Sequence, residues 1–302
     1  MGGGGRTLSR SGAVPPLEPL QECPTFSRMD EITAEYAVAG LADAAPLRIR
    51  LRTTWATKTD LGRVRENNED KVEVLIPDAD GDLATRGQVF LICDGMGGHE
   101  AGQIASELAA NTFVDVYRHF PNPEPQAAAT AAVIAANRYV VDVARAVPSR
   151  RGMGTTLSAL MLVQDQAIVA QVGDSRVYRL RDGGLTPLTT DHTWVEEVVR
   201  TGVMARADAE VHPYRHMLQR AIGADATVEP DVFTYDLRAG DRFFICSDGV
   251  TNHVADDEIA RILADFGPSE GAWRTVALAR QGGGSDNATV AIIHVEELIP
   301  VA

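Results

Sequence analysis

Cysteine is scarce in this chain: three residues among 302, Cys23, Cys93 and Cys246. Three thiols build no disulfide framework. Two of them end apolar runs, where cysteine behaves as a small hydrophobe, so a reducing compartment and a cytoplasmic location are expected. No apolar run approaches the roughly 20 residues of a membrane span, and the N-terminus lacks the apolar core of a secretory signal, so no membrane partner is expected. Positive charge is also short. The 28 Lys and Arg residues against 42 Asp and Glu leave a net charge of −14, which argues against a nucleic-acid partner. Residues 1–50 have few aromatics and much Gly, Pro, Ala and Ser, and are expected to form a disordered or loosely structured extension. Met29 is a second candidate start within it, and Arg6 stands where a myristoylation signal needs Ser or Thr.

The hydrophobic content of 45% supports a sizeable core. The stretch that organises the rest is Val89-Phe90-Leu91-Ile92-Cys93-Asp94-Gly95-Met96-Gly97-Gly98. Five unbroken apolar residues predict a strand buried on both faces. The run stops at a carboxylate and then turns through glycines. The device recurs at Arg242 to Gly249, an apolar strand ending in Asp248-Gly249. A third acidic position, Asp286, opens the apolar run Ala288 to Val295. With that last strand antiparallel to the other two, three carboxylates converge at one edge of the core, an arrangement suited to hard divalent cations.

The remaining pattern is a strand at Leu51–Thr59, a short strand at Lys71–Ile76, a polar turn at Asp78–Gly87 and two amphipathic helices, from His99 to His119 and from Ala132 to Val147. The period then changes to strand at Thr155–Val163, Ala167–Val172 and Arg176–Arg181, with a hairpin turn at Asp182-Gly183-Gly184. An irregular insertion at 191–221 precedes strands at Glu229–Leu237 and Asp241–Cys246. Helices at Asp256–Phe266 and Gly271–Arg280 and a final strand at Asn287–Val295 follow. Strands, a helix pair, strands, a helix pair and one strand predict an α+β fold. It is a four-layer α-β-β-α sandwich of two antiparallel sheets with helix pairs outside. One domain is expected over 51–302.

TDLGRVRENNED (Thr59 to Asp70), DGMGG (Asp94 to Gly98), GMGTT (Gly152 to Thr156), GDSR (Gly173 to Arg176), SDG (Ser247 to Gly249) and GGSDN (Gly283 to Asn287) occur in one order. Any one of them is weak, since Asp-Gly alone is ordinarily a turn. Together they resemble the metal-dependent serine/threonine phosphatases of the protein phosphatase 2C type, in their bacterial form. That resemblance implies the same sandwich and a phosphoprotein phosphatase using two Mn²⁺ or Mg²⁺ ions. It gives Asp94 the bridge between the cations, the Gly95 carbonyl a place on one of them, and Asp248 and Asp286 the other. It gives Arg65 the substrate phosphate, which a guanidinium fork suits. Glu69 and Asp70 are assigned to metal-bound waters or the frame of the site, and Asn287 to orienting a neighbour. Two cations about 3.5–4 Å apart share and acidify a water that attacks phosphorus. Asn67 and Asn68 read as turn residues, and Thr155 and Thr156 as core-facing.

Three departures from the pattern bear on the site. Animal relatives place a histidine after the Asp-Gly pair, where this chain has Met96; His99 is read as a helix-start residue, leaving proton donation to water. Arg151 and Asn252 stand where relatives carry Asp for a third, weaker cation, so two cations are expected, with Asp174 bracing its turn. His192, His212, His216 and His253 have no spacing of a ligand set. Residues 191–221 match the family's flap, in which Trp194, Val195, Val198 and Val199 are expected to pack. The partners implied are phosphoproteins of a Ser/Thr kinase, met by a monomer. A phosphoprotein-binding pseudophosphatase and a phosphatase of a sigma-factor pathway are the alternatives. The intact Asp94, Asp248, Asp286 and Arg65 oppose the first, and no attached sensor domain supports the second.

Overall fold

A computed structural model describes residues 46–97 and 100–301. Nearly all of the expected N-terminal extension, with Cys23 and Met29, lies outside them, as does His99. Strands β1 (Ile49–Asp60) and β2 (Asp70–Leu75) lead through a short helix α1 (Asp80–Thr85) to β3 (Gln88–Met96). Helices α2 (Ala101–His119) and α3 (Pro125–Ala146) follow, then β4 (Gly154–Thr155), β5 (Leu157–Val163), β6 (Gln166–Val172), β7 (Arg176–Arg181) and β8 (Gly184–Pro187). The flap carries α4 (Trp194–Arg200) and α5 (Arg206–Glu210). The chain ends with β9 (Asp231–Asp236), β10 (Arg242–Cys246), α6 (Asp248–Thr251), α7 (Asp256–Asp265), α8 (Pro268–Gln281) and β11 (Ala288–Pro300).

Two sheets form, ordered β1-β11-β10-β7-β8 and β2-β3-β5-β6-β9, with β4 beside β3. Every pairing is antiparallel. The strand period of two sorts the side chains of β3 onto two faces. Val89, Leu91 and Cys93 join a cluster with Ala105, Phe113 and Ala132 of α2 and α3. Phe90 and Ile92 turn the other way, against Phe243, Ile245 and Ile293 of the second sheet. That second sheet buries Phe244, Cys246 and Ile292 outward against Ile259, Ile262 and Val276 of α7 and α8. Four layers with three apolar seams result. Covering both faces is why the central strands read as continuous apolar runs although the sheets are antiparallel. Each large side chain fully buried there contributes about 1.5–3 kcal/mol. Helix α3 is long and apolar enough by composition to cross a membrane. Here its Ala128, Ala132, Val133, Ala136 and Val140 face is in the core instead.

Four expectations about the elements are corrected. The polar segment 78–87 holds α1 rather than a plain turn. Its Ala84 is buried, and the adjoining Arg86 is buried with its guanidinium on the carbonyls of Phe120, Asn122 and Pro123. Tertiary contacts, not local polarity, decide that stretch. The second long helix begins at Pro125, ahead of the apolar pattern, because a proline at the first helical position costs no hydrogen bond. Strand β3 does not end at Cys93 but runs through Asp94 to Met96, where Gly95 and Met96 pair with Thr155 and Gly154. The last strand continues five residues past Val295, because it pairs with β1 to the end and its Glu296 and Glu297 are matched by Arg52.

Candidate active site

The three carboxylates come from both sheets. Strands β10 and β11 are antiparallel neighbours, so Asp248 just after one and Asp286 just before the other share an edge. Asp94 reaches the same edge from β3 in the facing sheet, where it stands opposite Asp70 of β2. Arg65, Glu69, Asp94, Gly95, Asp174, Asp248 and Asp286 line one cleft of about 260 Å³. Asp70 and Asn287 do not line it; their hydrogen bonds run to the residues that frame it.

The backbone around Asp94 is fixed from two sides. Its N–H donates to Thr156 Oγ1 at 2.9 Å, and its carbonyl accepts from the Thr156 N–H and the Thr155 hydroxyl, both at 2.8 Å. Thr156 is buried as expected, yet it also lines the cleft. Its hydroxyl meets Ser175 Oγ at 2.7 Å, which links the Asp94 strand to the Asp174 loop. Gly95 sits where a Cβ would lie 2.1 Å from the Gly102 carbonyl oxygen, so α2 and β3 can meet only over a glycine. Asn287 ties the entry loop down. Its Nδ2 donates to the carbonyls of Leu61 and Asn67, and its Oδ1 accepts from the Glu69 N–H at 2.8 Å. Asn68 makes the expected turn, its Oδ1 accepting from the Asp70 N–H. Ser247 Oγ donates to Asp70 Oδ2 at 2.7 Å.

So many carboxylates in one desolvated space oppose each other's charge. Burial, then Asp70, Asp248, Asp174 and Asp286, push Asp94 well above the usual carboxylate range. Asp174 is pushed up to about 8 by burial and by Asp248. Asp70 is pushed up to about 7 by burial, against the opposing hydrogen bonds of Thr289 and Ser247. Asp248 and Glu69 are raised too, burial being the largest cause for each. Arg65 is the cation in the cleft lining, at 2.7 Å from Asp286 and 4.0 Å from Glu69. Burial works against its charge, and Asp286 more than offsets that, so its pKa is raised. Glu69 Oε1 and Asp70 Oδ1 are buried without a hydrogen-bond partner. Oxygen donors in this number, two of them orphaned, fit divalent cations such as Mn²⁺ or Mg²⁺.

Asp174 lines the cleft, with its own backbone N–H turned toward its carboxylate, while Gly173 and Ser175 on either side make further hydrogen bonds of that turn. His192 is a clamp: its Nδ1 accepts from the Gly173 N–H, its Nε2 meets Asp231 Oδ2, and burial lowers its pKa. His253 meets Ser285 Oγ at 3.0 Å. Trp194 packs on His212 and Tyr214 within the flap, and Val195 is buried. His216 is the residue that spacing missed. It lines the cleft with Nδ1 at 3.6 Å from Asp248 Oδ2. No local pattern announces it, because the flap's path alone brings it there. Arg151 is exposed and outside the cleft lining, and Asn252 Nδ2 donates to Asp248 Oδ2 at 3.3 Å.

The profile of the protein phosphatase 2C family matches residues 67–279. The chain is 36% identical over 248 residues to the serine/threonine protein phosphatase PstP of Mycobacterium tuberculosis, covering 82% of this chain and 46% of that protein. It is 37% identical over 247 residues to the serine/threonine phosphatase stp of Listeria monocytogenes, covering 78% of this chain and 94% of that one. A crystal structure of the PstP catalytic domain in complex with two manganese ions superposes with a TM-score of 0.71. Its identity is 35%, over 82% of this chain and 100% of that one. The chain therefore belongs to the protein phosphatase 2C family. It spans less than half the length of its mycobacterial relative.

Proposed function

We propose that this protein is a metal-dependent serine/threonine phosphatase that removes phosphate from phosphoproteins, opposing a Ser/Thr kinase in the cytoplasm. Residues 51–302 form its catalytic domain. The observation that carries this is the meeting of Asp94, Asp248 and Asp286 with Arg65 in one cleft. In this assignment Asp94 bridges two Mn²⁺ or Mg²⁺ ions, the Gly95 carbonyl joins it on one, and Asp248 and Asp286 hold the other. Such a pair, when bound, acidifies a shared water and offsets the charge of the phosphate. The chain's own part is to hold and orient. Glu69, which lines the cleft and has an orphaned oxygen, stands ready to accept from bound waters; Asp70, tied to Ser247, holds the frame behind it, and Asn287 keeps their loop in register. Arg65 keeps much of its guanidinium exposed to the cleft, where its fork can meet two phosphate oxygens.

Hydrolysis of p-nitrophenyl phosphate and of a phosphothreonine peptide, with Mn²⁺ and with EDTA, tests the proposal. Turnover with Mn²⁺ that EDTA abolishes is expected, and Asp94→Asn should remove most of it. Full turnover in EDTA, or in Asp94→Asn at saturating Mn²⁺, would overturn the assignment. Binding of the phosphopeptide without turnover would make the protein a phosphoprotein-binding module instead.

A further inference from the structure

Among the described residues, the guanidinium of Arg63 in the entry loop is exposed and makes no ion pair or hydrogen bond. Its stem is nonetheless held. The Arg63 N–H donates to the Gly284 carbonyl at 2.7 Å. Gly284 has φ of +57°, and a Cβ there would lie 2.9 Å from Arg63 Cγ and 3.2 Å from Cδ, so the side chain lies across the glycine. His253 packs on the neighbouring Gly283, where a Cβ would lie 3.0 Å from its Cε1, and its Nε2 meets Ser285 Oγ. The turn under Arg63 is therefore a packed platform. Two contacts then run side by side: Arg63 on Gly284 and, two residues further along each segment, Arg65 on Asp286. The Cα atoms of Arg63 and Arg65 are at most about 7 Å apart, a span that an extended peptide covers in about two residues. Val64 between them is 67% exposed, so the crest of the loop is open to another protein. The acids nearest in sequence leave the Arg63 charge free. Asp60 accepts from the Gly62 N–H at 2.8 Å and lies 3.5 Å from Arg280, and Glu66 follows Arg65 instead of standing between the two arginines.

We propose that Arg63 is a specificity-determining residue, which receives an Asp or Glu side chain of the substrate about two to three residues from the phosphorylated one. The proposal rests on the phosphatase reading above, which puts the phosphate at Arg65. A chain of net charge −14 repels an acidic protein at long range, and a free cation beside the site is what gives an acidic flank a favourable contact. The planar fork of the guanidinium suits a carboxylate, which it can meet with two parallel hydrogen bonds. Holding the stem on Gly284 beforehand reduces the side-chain freedom given up when the fork is engaged. The substrate class is then phosphoproteins whose phosphorylated Ser or Thr lies in an acidic stretch, and flanking Lys or Arg is disfavoured.

Phosphothreonine peptides with Glu, Ala or Lys at the second and third positions on both sides of the phosphothreonine test this, on the full chain with Mn²⁺ at low salt. The readout is the ratio of kcat/KM for the Glu peptide to that for the Ala peptide, in which any general loss of activity cancels. The unmodified protein should favour the Glu peptide roughly two- to fivefold and use the Lys peptide least. The preference should fade in about 0.5 M salt. Arg63→Gln should bring the ratio near unity, and Arg63→Glu should turn the preference toward the Lys peptide. A ratio near unity in the unmodified protein, or one that Arg63→Gln and Arg63→Glu leave unchanged, would overturn the proposal. p-Nitrophenyl phosphate has no flanking residues and separates the two readings. If the unmodified protein hydrolyses it with Mn²⁺ while the peptide ratio is near unity, only the Arg63 assignment fails. If neither it nor the peptides are hydrolysed, the phosphatase reading fails, and fluorescence anisotropy with the same peptides decides Arg63 by the ratio of affinities.

Discussion

Arg65 Nη2 donates to Asp286 Oδ2 at 2.7 Å, which joins the residue proposed for the phosphate to one proposed for a cation. The guanidinium has five donors, and this contact uses one of them. The rest of the fork stays available, since the side chain is 46% exposed. In the proposed assignment Arg65 would then have two tasks, holding Asp286 and meeting the substrate.

Arg65→Ala should mainly raise KM for a phosphopeptide. A hydrogen bond to a charged group contributes about 1.5–3 kcal/mol, which corresponds to roughly ten- to a hundredfold. Arg65→Lys should fall between, because an ammonium supplies charge without the planar fork. Steady-state kinetics on a phosphothreonine peptide decides the point. A loss confined to kcat would place Arg65 on the transition state and not on the bound substrate.

The carboxylates in and behind the cleft predict an unusual pH dependence for the metal-stripped protein. Asp70 and Asp174 are raised to about 7 and about 8, and Asp94 well above the normal range. Between the unfolded values near 4 and these folded values, the native state binds more protons than the unfolded one. Stability must then fall as pH rises through that window. Melting in EDTA should show a lower Tm at pH 8 than at pH 5.5. Millimolar Mn²⁺ should raise Tm most at the higher pH, where it binds the ionised ligands and competes with fewer protons. A Tm in EDTA that rises steadily from pH 5.5 to pH 8 would contradict the crowding of charge described here.

Thr156→Val tests how Asp94 is held. Valine keeps the shape but leaves the Asp94 N–H and the Ser175 hydroxyl without their partner. An unsatisfied buried polar group costs about 1–3 kcal/mol. We expect a lower Tm and weaker Mn²⁺ binding by calorimetry, with Thr156→Ser restoring most of both. If only Tm changes, Thr156 supports the fold and not the position of Asp94.

Much of this was legible in the sequence because buried strands have a strong local signature. Val89 to Cys93 and Phe243 to Cys246 are apolar on both faces, and each is followed within two residues by an acidic one, so the positions of Asp94 and Asp248 follow from local pattern. Asp286 follows likewise from the run that begins at Ala288. Position through the flap is different. His216 reaches Asp248, 32 positions further along the chain, because the flap leading to it is placed by contacts such as Trp194 on Tyr214 and His192 on Gly173. No periodicity encodes that meeting. Helix α1 was hidden for a related reason: its polar sequence is overridden by what Ala84 and Arg86 meet in the fold. Thr156 was half legible, since its burial follows from the strand while its bond to Asp94 needs the register of two strands.

Gly95→Ala gives the sharpest steric test of the site. A Cβ there would lie 2.1 Å from the Gly102 carbonyl oxygen and 2.7 Å from the Glu69 carbonyl oxygen. Both obstacles are backbone, so no rotamer change relieves them. The N-terminal turn of α2 or the loop bearing Glu69 must move, and Glu69 and Gly95 both line the cleft. Overpacking of this kind costs about 1–3 kcal/mol and occasionally more; with backbone on both sides the upper end applies, a fall in Tm of roughly 6–12 °C. Gly152→Ala is the control. Gly152 has φ of +79°, and nothing lies within 4 Å of its would-be Cβ, so only the left-handed conformation is penalised. That costs roughly 1–2 kcal/mol, with a correspondingly smaller fall in Tm. Mn²⁺ calorimetry on the two variants then separates fold from site. Gly95→Ala should weaken Mn²⁺ binding beyond what its Tm implies, and Gly152→Ala should leave it near normal. Equal Mn²⁺ affinity in both would mean that the approach of α2 to β3 does not shape the cleft.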